Sequence, residues 1–162
     1  SDEDINWKVL TDTFNNCVGF NTQELQDVQK RFRSATDAIK YTCLCRGTEY
    51  LYKGPEDLVV QLFLHRLVTT YGYPIEDIEV EKQVQMGRDA KKRADIVVHR
   101  QGQPYIVIEA KAPRAKGNRK QLDSYVNSLG STFGVWTDGK KSSYYRRTGN
   151  QLEEISDIPK HI

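Results

Sequence analysis

Arg93-Ala94-Asp95-Ile96-Val97-Val98-His99-Arg100-Gln101-Gly102-Gln103-Pro104-Tyr105-Ile106-Val107-Ile108-Glu109-Ala110-Lys111 decides the fold. Two runs rich in β-branched residues, Arg93 to His99 and Tyr105 to Lys111, flank a Gly/Pro turn, the signature of paired strands. Apolar residues occupy both parities, so both strands are read as largely interior. Three ionisable residues interrupt them: Asp95, Glu109 and Lys111. Glu109 and Lys111 are two apart and project from one face. With the turn centred near 102–103, antiparallel partners sum to about 205. A sum of 204 or 206 places Asp95 on the Glu109 face together with Val97 and Val107, whereas 205 sends it to the other side.

Working outward, a strand is expected at Ile78-Glu79-Val80-Glu81 just before this pair. Before that, Gly54-Pro55-Glu56-Asp57 opens a helix, since proline is pre-shaped for the first helical position and carboxylates favour the positive helix end. Leu58, Leu62, Leu67 and Val68 form its buried side, and Tyr71-Gly72-Tyr73-Pro74 ends it. After Lys111 comes a helix over roughly Asn118 to Leu129, with Leu122, Tyr125, Val126 and Leu129 on one side. Phe133 to Thr137 reads as an interior strand, Asp138-Gly139 as a hairpin turn into Ser142–Arg147, and Leu152 to Ile155 as a short last strand. At the N-terminus, Asn21-Thr22-Gln23-Glu24 is a capping box. Leu25, Val28, Phe32, Ala35 and Ile39 behind it predict a helix of four or more turns. The fold class is α/β, with a mixed central sheet flanked by helices. One domain is expected over 1–162: a helical extension at 1–50, a core at 54–147, and a C-terminal strand and tail at 148–162.

Charge narrows the function. The 162-residue chain carries 24 Lys and Arg against 22 Asp and Glu, a net +2, which looks too balanced for a polyanionic partner. Position reverses that impression. Residues 88–120 hold ten Lys and Arg against three acids, a balance of +7, and two of those acids are Asp95 and Glu109. A third basic run, Lys140, Lys141, Arg146 and Arg147, follows in the final hairpin. Basic runs around a carboxylate pair suit a phosphate held against a metal. Two adjacent carboxylates repel unless a cation intervenes, and hard oxygen ligands select Mg²⁺, with Mn²⁺ as a substitute. Lys111 beside them would position or activate a water, or stabilise charge on phosphate. The same Glu-Lys spacing also suits a solvated ion pair on a strand face.

Other chemistry is absent from the sequence. The chain has no Gly-rich phosphate loop, no Ser-centred elbow and no Gly-x-x-x-x-Gly-Lys-Ser/Thr motor motif. Cys17, Cys43 and Cys45 are an odd set without zinc spacing, which predicts reduced structural thiols and a cytoplasmic location. The acidic opening Ser1-Asp2-Glu3-Asp4 is unlike an export signal, and a start on Ser rather than Met predicts an excised piece.

At these residues the chain resembles the PD-(D/E)xK nuclease superfamily, and more narrowly the N-terminal nuclease domain of type I restriction enzyme R subunits. The resemblance rests on Gly54-Pro55-Glu56-Asp57, Tyr71-Gly72-Tyr73-Pro74, Lys92 to Val98, Tyr105 to Pro113, Gln121-Leu122-Asp123-Ser124-Tyr125 and Gly134 to Gly139. It covers about residues 54–147, and Ala94 stands where the motif name has proline. The resemblance implies an αβββαβ core. It assigns Asp95, Glu109 and the Ala110 carbonyl to a metal, Lys111 as the catalytic lysine, Gln121 and Tyr125 to a Gln-x-x-x-Tyr motif, and Glu56 to the first core helix, facing the metal. Arg93, Arg114, Lys116, Arg119 and Lys120 are expected to contact DNA phosphates. The implied activity is Mg²⁺-dependent DNA endonuclease, with translocase and methyltransferase–specificity subunits of a restriction system as partners. The alternative is a module with the nuclease fold that binds DNA or assembles without cutting.

Overall fold

The structure is a computed structural model and describes residues 1–88, 90–115, 117 and 119–162. The expectations placed on Asp89, Lys116 and the helix start at Asn118 fall outside the described residues.

Its centre is a six-stranded mixed sheet whose strands lie side by side in chain order. The strands are β4 (Ile78–Met86), β5 (Ala90–Arg100), β6 (Gln103–Ala110), β7 (Phe133–Thr137), β8 (Ser142–Thr148) and β9 (Gln151–Ile155). β6 and β7 are parallel, joined through helix α4 (Lys120–Leu129), and the other pairs are antiparallel. Helix α3 (Pro55–Thr69) precedes the sheet, opening on Gly54 and Pro55 as the sequence predicts. The order α3-β4-β5-β6-α4-β7 is the expected αβββαβ core, and β8 and β9 form the expected C-terminal hairpin.

Two apolar clusters lie on the two sides of the sheet. Leu58, Leu62, Phe63 and Leu67 of α3 pack with Ile96, Val98, Ile106 and Ile108. Leu122, Tyr125 and Val126 of α4 pack with Val97, Val107 and Trp136. Gly134 sets the closeness of the second contact: a Cβ there would stand 2.9 Å from Val126 Cγ2 and 3.3 Å from a Leu122 methyl carbon. Such a separation is below van der Waals contact, so α4 seats directly on β7 only because residue 134 lacks a side chain.

The N-terminal segment corrects one expectation. Helix α1 (Asp2–Asn16) and helix α2 (Thr22–Gln29) form, and Asn21 and Glu24 make the capping box. The predicted long helix nevertheless stops at Gln29. The chain turns instead into a three-stranded antiparallel sheet of β1 (Phe32–Ala35), β2 (Ala38–Thr42) and β3 (Glu49–Leu51). The three- and four-residue spacing of Phe32, Ala35 and Ile39 is coincidental. Phe32 pairs across the strands with Tyr41, their rings stacked at 5.1 Å, and meets Phe14 and Tyr52 edge-on. Asp37 turns the chain with φ +63°, which a helix does not permit. Cross-strand aromatic pairs outweigh a modest helical period here.

Arg66 of α3 ties this segment to the core. It grips Glu24 bidentately at 2.6 and 2.9 Å, donates to the Gly19 carbonyl at 3.0 Å, and lies over the Phe20 ring. Glu24 is buried at 5% exposure. Glu24→Gln keeps the capping residue type but strips the charged partner from a half-buried guanidinium, so it should lower unfolding free energy by about 2 kcal/mol in urea titrations. An unchanged midpoint would show that the pair contributes nothing. The three cysteines are free thiols, as expected. Among the described residues no helix is long and apolar enough to cross a membrane.

Candidate active site

The β5–β6 register is the first test of the site. Ile96 pairs with Ile108, Val97 with Val107 and Val98 with Ile106, each summing to 204, before a shift at His99. This is one of the two registers that bring Asp95 to Glu109. Asp95 Oδ2 accepts a hydrogen bond from the Ala110 amide at 2.8 Å, fixing the carboxyl beside the end of β6.

Asp95 also stands at a break in the neighbouring ladder. β4 and β5 pair with a constant sum of 176 from Ile78/Val98 to Met86/Ala90, but Glu81, which should oppose Asp95, is unpaired and has φ +57°. Val80 and Ile96 pack on the α3 side, whereas Val84 and Ala94 join the α4 side, although an unbroken strand would keep Val80 and Val84 on one face. The crossing falls at Glu81 and Asp95. Asp95 therefore sits where the two faces meet rather than simply on the Val97–Val107 face. It lines a cavity of about 100 Å³ that Glu56 and Asp57 of α3 also line.

Glu109 is buried at 4% exposure, on an end of β6 held by pairing with Trp136 and by the Lys111 amide bonding to the Thr137 carbonyl at 2.8 Å. Lys111 Nζ lies 3.1 Å from Glu109 Oε1, while Glu109 Oε2 is buried without a hydrogen-bond partner. Gln121 and Tyr125, one turn apart on α4, complete a chain. Lys111 Nζ donates to Gln121 Oε1 at 3.4 Å, Gln121 Nε2 to the Tyr125 hydroxyl at 2.7 Å, and that hydroxyl to the Arg93 carbonyl at 3.0 Å. Tyr125 places its ring in the core at 1% exposure and its hydroxyl at the end of this hydrogen-bonded chain. An open cleft of about 430 Å³ beside this chain is lined by Lys92, Lys111, Lys120, Gln121 and Ser124.

Electrostatics follow from burial and crowding. Burial first, then the charges of Glu109 and Glu56, push Asp95 up to about 8, against the Ala110 hydrogen bond and the Lys111 charge. Burial also raises Glu109, and Lys111 opposes it without reversing it. For Lys111 burial favours the neutral amine, but the hydrogen bond to Glu109 and the charges of Glu109, Glu56 and Asp95 outweigh it and hold the ammonium. Two carboxyls and one firm cation occupy the same few ångströms.

The basic residues divide. Arg114 is exposed at φ +70°; Arg119 is exposed, 3.7 Å from Asp123 and over the Tyr145 ring; Lys120 lines the cleft. The Arg93 side chain points to Glu81 at 3.6 Å and is 68% exposed. The hairpin run does not converge on the site as a whole. Arg147 bonds the Gly130, Ser131 and Gly149 carbonyls, and Arg146 pairs with Phe133, at the far end of β7 from Trp136 and Thr137. Sequence reasoning assigned no role to Glu81, or to Trp136, whose indole Nε1 is buried without a hydrogen-bond partner beside Lys111 and Gly117.

A mixed sheet flanked by helices is a restriction-endonuclease-like architecture, and this one carries an acid–acid–lysine group between the middle of β5 and the end of β6. The family described as Type I restriction enzyme R protein N terminus (HSDR_N) matches residues 55–159, and the chain belongs to that family. It is thereby related to the nuclease domains of type I restriction systems. No curated protein sequence matches it.

Proposed function

We propose that the domain is a PD-(D/E)xK endonuclease that hydrolyses DNA phosphodiester bonds with Mg²⁺, Mn²⁺ being a substitute. The observation that carries this reading is the crowding of two buried carboxyls, with Glu109 Oε2 buried without a hydrogen-bond donor and only the neighbouring Asp95 carboxyl to share a proton with it. A divalent ion fits that deficit. Asp95, Glu109 and the Ala110 carbonyl would hold the ion, with remaining positions left to water and phosphate, since among the described residues no three His, Cys, Asp or Glu side chains are grouped to hold one. When bound, Mg²⁺ would supply Lewis-acid polarisation of the phosphate and acidify a water.

The chain's own residues do the rest. Lys111, held as an ammonium, is a donor and a positive charge rather than a base, suited to orienting water or stabilising charge on the phosphoryl oxygens. The Tyr125 hydroxyl fixes the Gln121 amide so that its oxygen, not its nitrogen, faces Lys111. Glu56 adds negative charge from the α3 side. Lys92, Lys120, Arg114 and Arg119 would take backbone phosphates, which position DNA without reading sequence. In this reading the 162 residues act as one cytoplasmic domain, within or related to a restriction system whose translocase and methyltransferase–specificity subunits deliver the DNA.

Titration with MnCl₂ by calorimetry should show a site lost in Asp95→Ala and in Glu109→Ala. Wild-type binding in either variant would remove the carboxylates from the assignment.

A further inference from the structure

We propose that Arg46, from the segment outside the family match, is a positioning residue for the carboxylate site, acting through Glu81 on Asp95. This rests on the reading of Asp95 as a metal ligand.

Arg46 sits on the loop between β2 and β3, and that loop is clamped. The Cys43 amide donates to the Thr48 carbonyl at 3.0 Å and the Gly47 amide to the Cys43 carbonyl at 2.8 Å. The Leu44 amide donates to Oε1 of Gln61 at 3.0 Å, and Gln61 is a buried residue of α3 at 1% exposure. The loop is thus fastened to the helix that carries Glu56. From it, the Arg46 guanidinium lies 3.8 Å above the Tyr50 ring, and Nη1 reaches Glu81 Oε2 at 3.4 Å.

Glu81 is where β4 crosses between faces. Its left-handed φ of +57° is costly for a residue with a side chain and persists only where surroundings impose it. Arg46 and Arg93 supply that constraint by sharing the same Glu81 oxygen, at 3.4 and 3.6 Å. Arg93 adjoins Ala94 and Asp95 on β5, and its carbonyl receives Tyr125. One carboxylate therefore links the N-terminal loop to the strand that presents Asp95. Among the described residues lining the shared cavity, Arg46 carries the positive charge, facing Glu56, Asp57, Glu81 and Asp95. Its Nε is buried without a hydrogen-bond partner, and the guanidinium is held by the Tyr50 ring, the Cys43 thiol and the Glu81 carboxylate.

The Ala110 amide reports on Asp95 directly, because it donates to Oδ2, and it needs neither metal nor turnover. In the ¹⁵N-labelled full chain, Arg46→Met should shift the Ala110 resonance and speed its hydrogen exchange, leaving Leu122 and Val126 unmoved. Mn²⁺ affinity should fall about tenfold, the scale of loss when an outer support of a metal ligand is removed. Arg46→Lys, which keeps a charge near Glu81, should restore most of both. Glu81→Gln should reproduce the effect with the loop intact, and the double variant should be no worse than Glu81→Gln alone. An unmoved Ala110 amide in Arg46→Met, unchanged or tighter Mn²⁺ binding, or additive losses in the double variant would overturn the proposal. If Arg46→Met does not fold, Glu81→Gln decides by the same readouts. If wild type binds no Mn²⁺, the metal reading fails and the Ala110 amide still decides the role of Arg46.

Discussion

Lys111→Ala should abolish Mg²⁺-dependent plasmid cleavage while leaving the fold intact. Lys111 follows the last residue of β6 and is half-buried, and its aliphatic stem passes Gly117, so truncation removes little core. It does remove the cation 3.1 Å from Glu109 and the donor to Gln121. Loss of one preorganised electrostatic group costs about 10²–10³ in rate, enough to erase plasmid nicking on an ordinary assay timescale. Mn²⁺ binding should persist or tighten, since Lys111 repels a divalent ion at the same carboxylates. That combination, retained metal and circular dichroism with lost cleavage, separates a catalytic lysine from a structural one. Cutting by Lys111→Ala at the wild-type rate would sink the assignment. A wild-type protein that binds DNA and Mn²⁺ without cutting would support the alternative of a silent module.

The parts legible in the sequence are those where one local rule dominates. Gly54-Pro55 starts α3, the Gln101–Pro104 turn forces β5 against β6, and the 204 register follows from that turn to within one residue. Gln121 and Tyr125 fall on one face of α4 because four residues make about one turn. What escaped is non-local. β1 to β3 have three to five residues each, too few for a period-two pattern to overrule the chance helical spacing of Phe32, Ala35 and Ile39. The crossing at Glu81 is also hidden, because Ile78, Val80, Val84 and Met86 read as one apolar face. Arg46 and Glu81 are 35 residues apart, and only the fastening of the β2–β3 loop to Gln61 brings them together.

The metal-free domain should lose stability as pH rises from about 5 to 8, by several kcal/mol in all. Asp95 is pushed up to about 8 in the folded chain, and Glu109 is raised as well, whereas both ionise near 4 when unfolded. Between those limits the folded state holds protons that the unfolded state has released, so unfolding free energy falls with increasing pH. The penalty is fully present above the folded values and absent below the unfolded ones, opposite in sign to that of a salt-bridged carboxylate. Asp95→Asn keeps an acceptor for the Ala110 amide but cannot ionise. It should flatten the slope, raising the EDTA-treated midpoint at pH 8 above wild type while leaving pH 5 nearly unchanged. A divalent ion should reverse the wild-type trend, because it favours the ionised pair: the Mn²⁺-induced rise in melting temperature should grow from pH 5.5 to 8, and Asp95→Asn should show almost none. Parallel melting curves for wild type and Asp95→Asn across that range would mean that the two carboxyls are not crowded in solution, and the metal assignment would lose its physical basis.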